Sequence, residues 1–451
     1  MADTNVLHPA SVIDRQSIGL YQLAVVVLCG LVMFIDGFDT QAISYMAPRM
    51  AKEWGLTRDA LAPVFSSALA GLMIGYLALS PLSDRFGHRN LLLASTVFFS
   101  FFTFLMIFAG NVDDVMVLRF LTGLGLGAAA PSAVALTGEY SPARVRATAV
   151  LAIYCGFSLG FVAAGAAAAA LIPTHGWRAL LWLGSLTPLA LTVALYLWLP
   201  ESLLHMIRTG VNQSRIRSIL RRIDPDLPAE GAAISATHAQ TKRSAVIELF
   251  RGGLAAGTLL LWFVYVLNLA EFYALQSWMP SILSSLNFSL DQVVLATSLT
   301  TAGGIAAAFV VGPAMDNIGP YVSLATLYAA GIVFTALVGV ALSHASWLLF
   351  VAAFFAGFCI SGGQKSAIAL AAVYYPVEMR STGVGWALGM GRIGGIAGPM
   401  IIGLLLSWHF PAPHIFYAAA LPMLLASASI AAMGAIYGAR RNRSKAAPVL
   451  G

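Results

Sequence analysis

Twelve stretches of about 20 or more predominantly apolar residues recur along this chain. Each is long enough to cross a hydrocarbon core ~30 Å thick as a helix. The composition agrees: of 451 residues, 59% are AVILMFWYC and 10% are DEKR, against about 45–50% apolar and about 25% charged in soluble globular domains. The membrane is therefore the solvent for this sequence. A formal net charge of +6 raises nucleic acid as a partner, but the basic residues lie beside the apolar stretches, where headgroups and topology account for them. Cys29, Cys155 and Cys359 all sit inside apolar stretches without CxxC or metal-ligand spacing, so no disulfide framework, metal site or cofactor is expected. The first 20 residues are polar, and the stretch after them carries Asp36 and Asp39 with no small-residue cleavage site following. It is expected to stay as the first membrane helix.

Reading the apolar runs against charged, Pro and Gly punctuation predicts spans over about 21–47, 61–82, 91–110, 115–137, 149–172 and 179–199. Six more follow at about 254–283, 293–314, 321–342, 346–372, 383–406 and 414–437. Between the two sets lies a polar stretch containing RIRSILRRIDPDLPAEG, too charged to insert. The predicted fold is all-α and integral to the membrane, with twelve transmembrane helices in two six-helix repeats. Its expected domains are a bundle over 1–199, a cytoplasmic central loop over 200–253, and a second bundle with a basic cytoplasmic tail over 254–451. Twelve spans put both termini on one side. The segments on that side hold eighteen Lys and Arg and those on the other hold four, which predicts cytoplasmic termini.

The halves repeat one another. SDRFG at 83–87 returns as MDNIG at 315–319, and YSPARVRATAV at 140–150 returns as YYPVEMRSTGV at 374–384, pairing Arg146 with Arg380. SPLSDRFGHRN (80–90) resembles the loop signature of the major facilitator superfamily, departing from it at Ser80, where Gly is usual, and at His88, where Arg is usual. DGFD (36–39), RFLTGLGLG (119–127), SWMP (277–280) and the segment GGQ…YYPVEMRSTGVGWALGMGRIGGIAGP (362–399) are similar to the aromatic acid:H⁺ symporter family within it. The resemblance covers essentially the whole chain. It implies a proton-coupled importer of a small aromatic carboxylate, a functional monomer in a bacterial inner membrane, working by alternating access around a site between the bundles.

A charge at the bilayer centre costs about 2.5–3.5 kcal/mol even on insertion scales, so intramembrane charges form a functional shortlist. Six qualify: Asp36, Asp39, Glu271, Arg119, Lys365 and Arg392. They balance, three against three, which buried pairs that only fix helix register would also do. Asp36 and Asp39 are three apart and share a helix face. Two carboxylates that close in a low dielectric cannot both ionise cheaply, so they form a proton-coupling candidate, and no histidine falls in the middle of a span to compete. Glu271 joins them as a carboxylate on the seventh span.

An anionic substrate needs a cation, and a guanidinium can grip a carboxylate with two bonds. Arg392 is expected to take that role, with Arg119 coupled to the aspartates beside a glycine-rich face at Gly123, Gly125 and Gly127. Glu271 and Lys365 depart from the family pattern, and their joint appearance suggests that they pair, or else that Lys365 serves a second polar group on the substrate. Gln364, Asn268 and Gln276 are further polar candidates, and Phe38, Tyr154, Phe272, Tyr273 and Trp386 are aromatics that can stack on a ring. At the cytoplasmic mouth, Asp84, Arg85, Arg89, Glu139, Arg144 and Arg146, with Asp316 and Arg380 in the second half, are expected to form a gating set of ion pairs. A dicarboxylate symporter and a membrane sensor are the rival readings. A drug antiporter lacks support because the fifth span has no Gly-Pro element, and an enzyme because no catalytic motif lies near the buried charges.

Overall fold

The computed structural model describes residues 6–57, 60–79, 82–142, 144–210, 213–227, 233–234, 246–342, 346–375 and 380–446. Apolar runs in lipid must satisfy every backbone group within themselves, and they do so as helices. A short α1 (Pro9–Arg15) precedes α2 (Leu20–Trp54) and α3 (Leu61–Ile74), the last prolonged by a π-helical turn at Gly75–Leu79. A single turn, α4 (Ser83–Phe86), leads into α5 (His88–Leu105), α6 (Val112–Tyr140), α7 (Arg146–His175) and α8 (Arg178–Trp198). After the short α9 (Leu203–Arg208) and α10 (Gln213–Ile223) come α11 (Ala255–Ser285), α12 (Leu290–Asn317), α13 (Pro320–Ala341), α14 (Ser346–Tyr374), α15 (Arg380–Ser407) and α16 (Ala412–Ala446). Among the described residues, eleven helices are long and apolar enough to span a membrane, and α3 with its π turn occupies the position of the second predicted span.

The described residues form two compact units, one of 1–42 with 67–240 and one of 43–66 with 241–451. In the second unit the 43–66 segment is held to the later helices by a hydrogen bond between the Tyr45 and Thr297 hydroxyls. Ser66 Oγ adds a 2.8 Å bond to the Ile396 carbonyl, and Phe65 packs edge-on against Trp278.

Both units use the same close packings. In the first, a Cβ on Gly71 or Gly123 would collide with backbone across the α3–α6 contact, and one on Gly37 or Gly160 with backbone across the α2–α7 contact. In the second, Gly303 and Gly357 do this for α12 and α14, and Gly394 and Gly398 do it for α15 against α11. Small residues let membrane helices approach until their backbones touch. The repeated loop motifs also end alike: Gly87 and Gly319 have φ of +90° and +110°, a region in which a side chain is strained.

The central segment is more structured than a loop. QSRIRSILRRI puts Ile216, Leu220 and Ile223 at i, i+4 and i+7, so α10 buries one apolar face in the same cluster as Val12 and Ile13 of α1. Arg215 and Arg221 point outward. Two short strands, β1 (Val6–Leu7) and β2 (Ala233–Ile234), pair in parallel and tie the N-terminal segment to it.

Candidate functional site

In the first unit the geometry gathers around α2 and α6. Asp36, Phe38 and Asp39 on α2 are all buried, as is Arg119 on α6, 3% exposed. Arg119 Nη1 donates to Asp39 Oδ2 at 2.7 Å and to the Asp39 carbonyl at 3.3 Å. Asp36 lies one turn away on the same helix. The cluster thus sets two carboxyl groups against one guanidinium in a low dielectric, where unbalanced charge is costly. Phe38 packs beside Gly184 of α8 at ordinary van der Waals distance, a core position. Tyr154 on α7 is 44% exposed.

The charged residues of the second unit are arranged otherwise. Arg392 Nη1 donates to the Tyr273 hydroxyl at 3.0 Å, and Lys365 Nζ to the Gly304 carbonyl at 3.1 Å. Glu271 is buried beside Thr335, and its Oε1 has no hydrogen-bond partner. The expected Glu271–Lys365 ion pair is therefore not formed. The two residues sit on α11 and α14 with rotations fixed by packing, which sequence spacing does not reveal. Asn268 Nδ2 is bonded to the Ile360 carbonyl at 3.0 Å, Phe272 and Gln276 are buried, and Gln364 is half-buried. Trp386 is 44% exposed and stacks on Trp262 with ring centroids 5.9 Å apart.

At the ends of α3 to α8, the expected network of ion pairs takes a different form. The side chains of Asp84, Arg146, Asp316 and Arg380 lie outside the described residues. Of the others, Arg89 donates to the Leu199 carbonyl at 2.7 Å and the Tyr196 carbonyl at 2.5 Å, with its guanidinium 5.3 Å from the Tyr196 ring. Glu139 accepts from the Leu204 amide at 2.6 Å, Arg144 donates to the Gln16 carbonyl at 2.8 Å, and Arg85 lies over Phe86. These four bond to main chain and rings rather than to one another. Glu201, in the PESL segment and not singled out by sequence reasoning, is the hub: its Oε1 accepts from the amides of Arg89 (3.0 Å) and Ser202 (2.9 Å), and its carbonyl from the Tyr140 hydroxyl (2.6 Å). Sequence reasoning also missed Tyr273 as the partner of Arg392 and Thr335 as the neighbour of Glu271. Tyr273 carried a signal, an intramembrane hydroxyl two residues beyond Glu271, whereas Thr335 carried none.

Two units of the same helix packing, each carrying buried charge in its membrane helices, define a multi-pass membrane transporter. The sequence matches the model of the Major Facilitator Superfamily over residues 29–258 and again over 261–449, and the chain belongs to that family. It is 39% identical to the 4-hydroxybenzoate transporter PcaK of Pseudomonas aeruginosa, over 94% of this chain and 95% of that one. It is 38% identical to the gallate transporter of Pseudomonas putida, over 94% of each. The inward-open structure of the xylose transporter XylE from E. coli superposes with a TM-score of 0.71 at 16% identity, covering 91% of this chain and 95% of that one, and shares the fold. The protein is a transporter and not an enzyme.

Proposed function

We propose that this protein imports a small hydroxylated aromatic carboxylate, of the 4-hydroxybenzoate type, across a bacterial inner membrane by proton symport. It acts as a monomer with both termini and the central segment in the cytoplasm. The observation that carries the reading is the Asp36–Asp39–Arg119 cluster, two buried carboxyls against one buried cation with Arg119 bonded to Asp39 at 2.7 Å. Its balanced state includes one proton. An anion entering against a potential of ~100 mV, negative inside, opposes about 2.3 kcal/mol per charge, so at least one proton must accompany it. The names of the relatives 37–39% identical to this chain supply the substrate class.

Arg392 is assigned to the substrate carboxylate. Its bond to the Tyr273 hydroxyl is one that a carboxylate can replace with a stronger, two-bond grip. Phe272, Gln276, Gln364 and Lys365 complete the set assigned to the substrate, and the charges at the cytoplasmic ends of the helices are assigned to gating.

Uptake of labelled 4-hydroxybenzoate into proteoliposomes tests the proposal. Accumulation is expected when the outside is acid and is expected to disappear when a protonophore collapses the gradient. Accumulation indifferent to the gradient overturns the coupling, and no uptake of any aromatic acid overturns the substrate class.

A further inference from the structure

Six buried polar atoms in the second unit lack a hydrogen-bond partner and belong to neighbouring residues: Tyr265 OH, Asn268 Oδ1 and Glu271 Oε1 on α11, Thr335 Oγ1 and Tyr328 OH on α13, and Tyr375 OH just after α14. Their spacing makes them a column. Tyr265, Asn268 and Glu271 follow at intervals of three, each turned about 60° from the last, so they wind over about 120° of α11 while rising about 9 Å, and Tyr328 and Thr335, seven apart, share a face of α13 and rise about 10.5 Å. The two rows meet at both ends, for Tyr265 lies near Tyr328 and Tyr375, and Glu271 beside Thr335. Gly363 of α14 lets the Tyr328 ring pass, because a Cβ there would collide with it. The end of the column nearest the start of α11 is Tyr375, buried beside Thr258 in the first turn of that helix.

Buried polar groups in native proteins are almost always satisfied by protein or by ordered water. A narrow polar column whose neighbouring members each retain hydrogen-bonding capacity is suited to a file of water. At its inner end, Glu271 pairs with no described cation. The mid-helix charges on the helices packed against α11 are Lys365 of α14, bonded to Gly304, and Arg392 of α15, bonded to Tyr273. An ionised carboxylate in that position would be a buried charge with no counter-ion among the described residues.

We propose that Glu271 is a second proton-carrying carboxyl of this transporter, independent of Asp36 and Asp39, and that the column from Tyr375 and Thr258 to Glu271 is its water-filled path to the end of α11 beside the central segment. The inference rests on the symport reading above. A Glu271 proton that leaves by this path adds one proton to each transport cycle.

The ratio of protons to 4-hydroxybenzoate, measured from the reversal of flux in proteoliposomes at set pH gradients and potentials, tests it. Glu271→Gln, which keeps shape and hydrogen bonding, is expected to transport with a ratio lower by one than the unaltered protein. An unchanged ratio overturns the proposal while leaving the symport reading intact, and an unaltered protein with no proton coupling sinks that reading instead. Hydroxyl-radical labelling by synchrotron radiolysis of the unaltered protein gives a readout independent of any variant's folding. Tyr265 and Tyr328 are expected to be modified as internal water allows, and protection of both overturns the path.

Discussion

The two units bury charge in opposite ways. In the first, Arg119 and Asp39 neutralise each other at 2.7 Å, and Asp36 is buried one turn away on the same helix. In the second, Glu271, Lys365 and Arg392 are kept apart, with the two cations bonded to a carbonyl and a phenol hydroxyl and the acid beside a threonine. A closed ion pair is a switch whose setting depends on a proton, because removing the pair's charge balance is costly in lipid. A cation on a neutral dipole is a receptor, because an arriving anion improves its bonding. On the function proposed above, the same scaffold, packed through equivalent glycines, carries the paired proton site in one half and the substrate cation in the other.

The strongest break of this contrast is made at the switch. Asp36→Asn and Asp39→Asn are each expected to abolish accumulation driven by a pH gradient while exchange of labelled for unlabelled substrate continues, since Asn cannot carry the proton. Counterflow and pH-driven uptake measured on the same vesicles check this, and undiminished accumulation in both variants removes α2 from the coupling step.

Stability gives the next largest effect. Arg119→Leu strands Asp39 and is expected to cost about 3–5 kcal/mol, as breaking one side of a buried pair does. Adding Asp39→Leu should recover most of the loss, because nothing charged then lacks a partner. Thermal unfolding in detergent of the single and double variants reads it directly. Recovery confined to protein yield, without return of coupling, would match the separate roles of structure and proton transfer.

How far the sequence foretold this arrangement follows from what each feature depends on. Spans are legible because bilayer thickness sets their length, and α11 and α14 fall within a few residues of the expected positions. The six intramembrane charges are legible because such residues are rare in lipid. Their pairing is not, since it depends on how each helix is rotated by its neighbours, and a run such as FFAGFCISGGQKSAI fixes no rotation for Lys365 on its own. Asp36 and Asp39 escaped that limit because their three-residue spacing fixes a shared face within one helix. The Glu201 hub was hidden for a different reason: its donors are the main-chain amides of Arg89 and Ser202, which leave no trace in residue identity.

At the receptor, Arg392→Lys keeps the charge and loses the fork, and is expected to weaken apparent substrate affinity by about 1.5–3 kcal/mol, roughly tenfold or more. Tyr273→Phe removes only the neutral partner of the free state and should change it by about 1 kcal/mol or less. Initial rates against 4-hydroxybenzoate concentration separate the two. A Lys variant with normal affinity would mean that a positive field suffices there.

The smallest expected effect is the sharpest test of the contrast, because it is a coupling close to zero. If Glu271 and Lys365 formed a pair, Glu271→Gln and Lys365→Met would each be severe and the double variant would recover, giving an interaction energy of several kcal/mol. In this structure Lys365 is bonded to Gly304 and Glu271 lies beside Thr335, with no bond between the two side chains. Changes at sites without a shared interaction add within about 0.3–0.5 kcal/mol. The double variant should therefore show the sum of the two single losses in thermal or denaturant unfolding. Glu271→Gln alone should cost little, because it exchanges one neutral hydrogen-bonding group for another. Recovery in the double variant would restore the ion pair and make the second unit electrostatically like the first, leaving the contrast between the halves without its physical basis.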